Sequence, residues 1–289
     1  MLDLLAAPFI ACLVLTGIHC YLGLHVVMRG VIFVDLALAQ IAALGAAAGI
    51  LMGFEPHSAL NYTSSLLFTF VGASIFAVGR FRERRIPQEA IIGIVYAVSA
   101  AVAILILSKT AVDRDEIEGM LVGRLLFVDW TEIGKTLAIY LPVGALHYAL
   151  RDRFFAISTS PEDAHAAGLA VRGWDFLFYM TFGLVVTSSV EMAGVLLVFS
   201  FLIVPAVCAM MFFSSVTGRL LVGWGFGFAA SVFGLFISAH WDFPTGASVV
   251  TAFGVLILLS AIVYRAMALL RKQHADTILR ENNSLMPEH

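Results

Sequence analysis

Charge is scarce in this chain. Only 13% of its 289 residues are Asp, Glu, Lys or Arg, about half the roughly 25% of soluble domains. The mean hydropathy is +0.95. What charge there is nearly cancels, and a net -3 is too small to draw nucleic acid or another strongly charged partner. A disulfide framework or zinc motif is also lacking. Cys12, Cys20 and Cys208 lie in apolar stretches without paired spacing and read as small buried hydrophobes. No Gly-x-x-x-x-Gly-Lys-Ser/Thr run occurs, which excludes a P-loop nucleotide site. A secretory leader is not expected, because Asp3 stands where a basic n-region belongs and no small-residue cleavage site ends the first apolar run. There is no internal repeat and no linker to a second domain.

What the chain has instead is apolar runs of about 20 residues from end to end, the length a helix needs to cross a bilayer. The fold class is therefore all-α integral membrane, a polytopic bundle of eight or nine transmembrane helices. The runs place spans at about 5–27, 32–52, 60–79, 88–108, 130–150, 175–190, 192–213, 220–239 and 246–270. The mixed segment 110–129, with Asp113, Arg114, Asp115, Glu116 and Glu118 ahead of Met120, reads as an external loop with a short interfacial helix. The close pair 175–190 and 192–213 is open to a broken or re-entrant helix. Residues 1–270 form one transmembrane domain, and 271–289 a polar cytosolic tail with a short helix.

Basic residues orient membrane proteins by collecting on the cytoplasmic side. With nine spans and the N-terminus outside, thirteen Lys and Arg fall inside and four outside. The C-terminus is then cytoplasmic.

A few polar side chains interrupt the apolar runs, and such residues usually mark a pathway or a partner. Asp35 is the first, six residues past Arg29; it either lines a cation path or pairs at the interface. Glu191 interrupts the stretch between Val190 and Met192, either on the path or solvated at a helix junction. His240 and Asp242 sit at a span end before Pro244, where Asp242 either binds or shapes a turn. His19 and His25 lie in the first span, as ligands or as hydrogen-bonded core residues. Carboxylate and imidazole sets suit zinc, manganese or ferrous iron without choosing among them. Glu55 and His57 read as a wet loop pair, and Arg80, Arg82, Arg84 and Arg85 as a topology marker. Gly45 and Gly49 give a Gly-x-x-x-Gly stripe that either packs a neighbouring helix or lines a dimer axis.

The polar segment 158–169 has its own logic. Ser160 caps a helix, Pro161 suits its first position, Asp163 completes a Ser-x-x-Asp box, and Gly168 ends it. This makes a two-turn helix on the cytosolic face, either a connector or a docking helix that transmits force from a partner.

Ser160-Pro161-Glu162-Asp163-Ala164-His165-Ala166-Ala167-Gly168-Leu169 resembles the coupling-helix motif of ABC importer permeases for zinc, manganese or iron. Four further segments resemble the same family in order: Leu22-Gly23 to Arg29 with Val34-Asp35; Arg82-Glu83-Arg84-Arg85 with Glu89-Ala90-Ile91-Ile92-Gly93-Ile94; Gly194-Val195-Leu196-Leu197-Val198 with Ile203-Val204-Pro205-Ala206; and Asp242-Phe243-Pro244-Thr245-Gly246. Together they cover about residues 1–270.

The resemblance implies a non-enzymatic permease of the bacterial inner membrane, working as a homodimer with a second permease copy. It implies cytosolic ABC ATPase subunits docked on Ser160, Pro161, Glu162, Ala164, Gly168 and Leu169, and an extracytoplasmic metal-binding protein. The cargo is a divalent Zn, Mn or Fe ion, with no intrinsic cofactor. The family reads Gly-Asp-x-x-Ser-His at the second span, pairing the carboxylate with an imidazole one turn on. Here Val34, Leu38 and Ala39 replace the Gly, Ser and His, while Asp35 remains. Gln40 is no substitute, lying about 140° around the helix from Asp35. The expected metal set is therefore Asp35 with Glu191, His240, Asp242 and His25. A cobalamin or siderophore permease, or a secondary cation transporter or channel using Asp35 and Glu191, are the alternatives.

Overall fold

In hydrocarbon each backbone N–H and C=O must be satisfied within the protein, and a helix does so within its own segment. The computed structural model describes residues 2–56, 58–79, 87–110 and 125–284, with side chains from 5 to 273. Its elements in chain order are α1 Leu2–Arg29, α2 Val34–Leu51, α3 Ala59–Val78, α4 Gln88–Leu107, a 3-10 turn Leu125–Phe127, α5 Trp130–Ala149, α6 Arg151–Thr159, α7 Pro161–Ala166, α8 Val171–Ala193, α9 Val195–Phe212, α10 Val216–Trp241 and α11 Thr245–Ser284.

Eight of these, α1 to α4 and α8 to α11, are long and apolar enough to cross a membrane. The ninth expected span is α5, whose 20 residues would reach about 30 Å. Glu132, Lys135 and His147 keep it less apolar than the rest. Among the described residues, eight helices qualify as spans by hydropathy and nine by length. The close pair of runs is α8 and α9, which meet at Gly194 alone; its φ of 79° is a backbone state that a side chain resists. The tail expected beyond 270 is, as far as Ser284, a continuation of α11 rather than a separate helix. His57, the Arg80–Arg85 cluster and the acids at 113–118 with their interfacial helix lie outside the described residues.

Helix starts follow side-chain chemistry. Ser58, Asp129, Ser160 and Ser215 each accept a hydrogen bond from the amide three residues on, satisfying a donor the helix leaves open. The α10–α11 turn uses Asp242 in the left-handed region (φ 55°), a state short polar side chains tolerate.

Helix contacts are made by small residues. In α1, a Cβ at Gly23 would overlap the Leu202 carbonyl of α9, and Thr16 and Cys20 meet Gly227 and Gly223 of α10. In α2, a Cβ at Gly45 would lie 2.8 Å from the Ser64 carbonyl of α3, and one at Gly49 would meet Asn61. The Gly-x-x-x-Gly stripe is therefore spent on α3 of the same chain and does not line a dimer axis. Gly183 of α8 faces Thr69 of α3, and Gly234 of α10 faces Val249 of α11. Two groups result. One has α2 among α3, α4 and α8; the other has α1 and α9 among α10 and α11; and α5 lies against both α1 and α8. Cys12, Cys20 and Cys208 are buried and free.

Gly23→Ala should lower the thermal midpoint of the detergent-purified protein, on the scale of about 1–3 kcal/mol for overpacking. Gly93→Ala, with open space around the new methyl, should leave it unchanged or slightly raised. Equal midpoints for the two would refute this account of the α1–α9 contact.

Candidate functional site

The short turn between α1 and α2 organises one end of the bundle. Gly30 has φ 67° and lets α2 begin four residues after α1 ends. Asp35 sits in the first turn of α2, where the helix dipole favours a carboxylate. It is 2% exposed, and its Oδ1 has no hydrogen-bond partner. Glu89, in the first turn of α4, accepts a hydrogen bond from the Ile32 amide through Oε1, while its Oε2 is buried without a partner. Glu89 lies within electrostatic reach of Asp35. Two carboxylates with an uncommitted oxygen each therefore flank this turn. The sequence places Glu89 in a span-start pattern but gives no sign of its contact with the turn, a pairing 57 positions apart.

Arg29 does not serve Asp35. Its Nη1 donates to Asp175 Oδ1 at 2.6 Å and its Nε to Ser158 Oγ at 2.8 Å, with its guanidinium 4.0 Å from the Phe178 ring centre. Both ionic side chains are buried, at 1% and 0% exposure. The interface pairing considered for Asp35 is thus absent among these contacts, because Asp175 takes the guanidinium.

His25 is buried beside that pair, with Nδ1 2.8 Å from Ser158 Oγ. Tyr21 packs edge-on against both His25 and His147. The His147 Nε2 lies 2.8 Å from Thr181 Oγ1, whose own hydroxyl reaches the Leu177 and Phe178 carbonyls. Thr181 thus accepts, and His147 carries its proton on Nε2.

The other candidates occupy the opposite end. Asp175 and Glu191 lie 16 residues apart on α8, about 24 Å along the axis. Glu191 is exposed and within electrostatic reach of Tyr62. Deeper in, Tyr140 and Ser189 share a hydrogen bond, and Ser189 Oγ lies 3.1 Å from His19 Nε2. His19 Nδ1 donates to the Leu15 carbonyl, and the Ser189 hydroxyl also reaches the Val185 carbonyl. His19 is a hydrogen-bonded core residue. His240 and Asp242, at the end of α10, are exposed. His240 stacks on Phe236, and Asp242 forms the turn that Ser238 closes by bonding the Phe243 carbonyl and meeting Thr245. The five expected ligands thus divide, Asp35 and His25 at one end, Glu191, His240 and Asp242 at the other. Among the described residues no three His, Cys, Asp or Glu side chains gather closely enough to hold a metal ion.

The α7 segment lies at the Asp35 end. Ser160 accepts the Asp163 amide at 3.3 Å and Pro161 opens the helix. At its far end the Leu169 amide bonds the Ala164 carbonyl and the Gly168 amide bonds the His165 carbonyl, with Gly168 at φ 85°. This is a Schellman stop, in which only glycine takes that backbone state without strain. Ala164 is buried and Leu169 half-buried, whereas Glu162, Asp163, His165 and Gly168 are exposed. A short rigid helix is held by its apolar side and presents its polar side outward.

The model of the ABC 3 transport family matches residues 1–264. The manganese transport system membrane protein MntC of Listeria innocua is 25% identical over 230 residues, 77% of this chain and 81% of that protein. The high-affinity zinc uptake system membrane protein ZnuB of Haemophilus influenzae is 25% identical over 267 residues, 90% of this chain and 97% of its own. Among solved structures, PsaBC from Streptococcus pneumoniae in complex with Fab superposes with a TM-score of 0.75 at 22% identity, covering 89% of this chain and 90% of its counterpart; at that identity the likeness is one of fold.

Ser160→Ala should weaken the cap of α7 by about 1 kcal/mol. Hydrogen exchange should then speed up at the Asp163 amide and leave α8 protected; unchanged exchange at Asp163 would show that the cap does not hold this helix.

Proposed function

The chain belongs to the ABC 3 transport family of metal importer permeases, and from that premise we propose that it is the membrane-spanning subunit of an ATP-driven importer carrying manganese, zinc or iron into the cytoplasm. The observation that carries the reading is α7, capped at both ends, seated on α6 and α8 and exposed on its polar face. That is the form a docking helix for a separate ATPase needs, since a rigid element delivers displacement where a loose loop would absorb it.

In this reading two permease copies form the pathway in a bacterial inner membrane. ATPase subunits bind at α7 on the cytoplasmic side, and an extracytoplasmic binding protein delivers the ion to the other end. The basic-residue count puts the N-terminus outside and the C-terminus inside. Glu191, His240 and Asp242 then lie at the outer mouth and Asp35 near the inner one. A passage site must release as well as bind, so one carboxylate with few helpers is a better holding group than a closed four-ligand cage. Ala39, where the family places an imidazole, is buried and apolar, and near it Asp35 and Glu89 each keep a buried oxygen without a hydrogen-bond partner.

The transporter-or-channel alternative needs Asp35 and Glu191 to act as one proton relay. Their placement at opposite ends of the bundle does not favour it.

Asp35→Ala should abolish uptake of manganese or zinc by cells or proteoliposomes while the ATPase still co-purifies. Undiminished uptake would remove Asp35 from the path. Glu162→Leu should release the ATPase or uncouple its hydrolysis from transport, and wild-type association and transport would reduce α7 to a connector.

A further inference from the structure

Two residues that bracket α7 in sequence are held by a single side chain from another helix. Ser158 lies two residues ahead of the Ser160 cap, and Asp175 lies seven residues past the Gly168 stop. Arg29 of α1 donates to both, to Ser158 through Nε and to Asp175 through Nη1. One turn earlier on α1, His25 contacts the same Ser158 hydroxyl. The Arg29 side chain is 1% exposed and Asp175 is fully buried, so water does not compete for these bonds. Phe178, one turn beyond Asp175, backs the guanidinium at 4.0 Å.

On its other side Arg29 borders the turn into α2. The Gly30 amide bonds the Val27 carbonyl and the Val31 amide bonds the Val26 carbonyl, and Ile32 donates to Glu89 of α4. Asp35 follows within the first turn of α2. A displacement of α7 therefore reaches α1 through Ser158 and Asp175 together, and then the turn that carries Asp35.

We propose that Arg29 is the positioning residue through which α7 drives α1 and the α1–α2 turn, a clasp closed on both flanks of the docking helix. This inference rests on the permease reading above. A planar guanidinium suits the task because it serves two partners in fixed directions at once. A lysine ammonium is a single point charge that cannot hold both in that geometry. Holding both flanks also makes α6, α7 and α8 move as one body with α1, where a contact to one flank would let the other slip.

The test uses the permease–ATPase complex in proteoliposomes, with manganese and zinc tried separately as cargo. Arg29→Gln should leave ATPase association and ATP hydrolysis in place while metal moved per ATP falls about tenfold, the scale of a typical coupling free energy. Arg29→Lys should recover part of that ratio. Because Arg29→Gln strands the buried Asp175 carboxylate, the double variant Arg29→Gln/Asp175→Asn removes both charges and should fold yet stay uncoupled. Ser158→Ala, which leaves the ion pair intact, should lower the ratio less. A second readout needs no cargo: on ATP binding, hydrogen exchange in the 30–33 turn should change in the wild type and not in the double variant. Wild-type metal per ATP in the double variant, transport and hydrolysis falling in parallel, or an unaltered exchange response would each overturn the clasp. A wild-type chain that recruits no ATPase would overturn the permease reading itself, before any variant is compared.

Discussion

A lipid tail is as apolar as a leucine side chain, so burial against a neighbour gains a transmembrane helix little that lipid would not supply. Association then rests on close backbone approach and on the few polar groups that must be satisfied inside. Gly23 against the Leu202 carbonyl, Gly45 and Gly49 against α3, and Gly223 and Gly227 against α1 are where this constraint is met. These contacts decide which helices are neighbours, and so which end of which helix carries each polar residue. The glycine stripe of α2 shows the consequence. Once it is committed to α3 it cannot face a second copy, and Asp35 is held inside the protomer near α4.

The same scarcity of solvation sorts the charges. A lone ion in hydrocarbon is costly, and removing one partner from a buried pair leaves that cost uncompensated. Arg29 and Asp175 neutralise each other, with Ser158 and the Phe178 face beside the guanidinium, although its Nη2 is buried without a hydrogen-bond partner. Asp35 and Glu89 are two acids near one turn, each retaining a buried oxygen without a hydrogen-bond partner. The paired charges act as structure.

How much of this was legible in the chain depended on sequence distance. The spans could be read because run length against bilayer thickness is a local property. The cap, first-position proline and stop of α7 could be read because Ser160, Pro161 and Gly168 lie within nine positions. The Arg29–Asp175 pair, 146 positions apart, could not, since a basic residue at a span end looks like a topology marker. Asp35 was chosen from its place in a family motif and the other four ligand candidates chiefly by side-chain chemistry, which carries no depth. Counting spans already puts Asp35 at the Arg29 end and Glu191, His240 and Asp242 at the opposite end. Asp242 and His19 turned out to serve a turn and a core hydrogen-bond network, roles that short polar side chains and imidazoles fill as readily as ligation.

In the permease reading proposed above, the position of Asp35 has a mechanical meaning. A holding site at mid-membrane, far from the ATPases, would need a displacement transmitted through several helix contacts, each able to absorb part of it. Asp35 instead lies a short turn beyond Arg29, whose partners flank α7. A shift of α1 at that point would reach Asp35 through the turn and Glu89 through its bond to the Ile32 amide. Bringing two carboxylates together around a divalent ion is favourable, and separating them weakens the hold. In that reading, affinity at the Asp35 end would be set by a small movement of one turn, and the absence of an imidazole at Ala39 works in the same direction. Fewer fixed ligands leave more of the binding energy in the part of the site that moves.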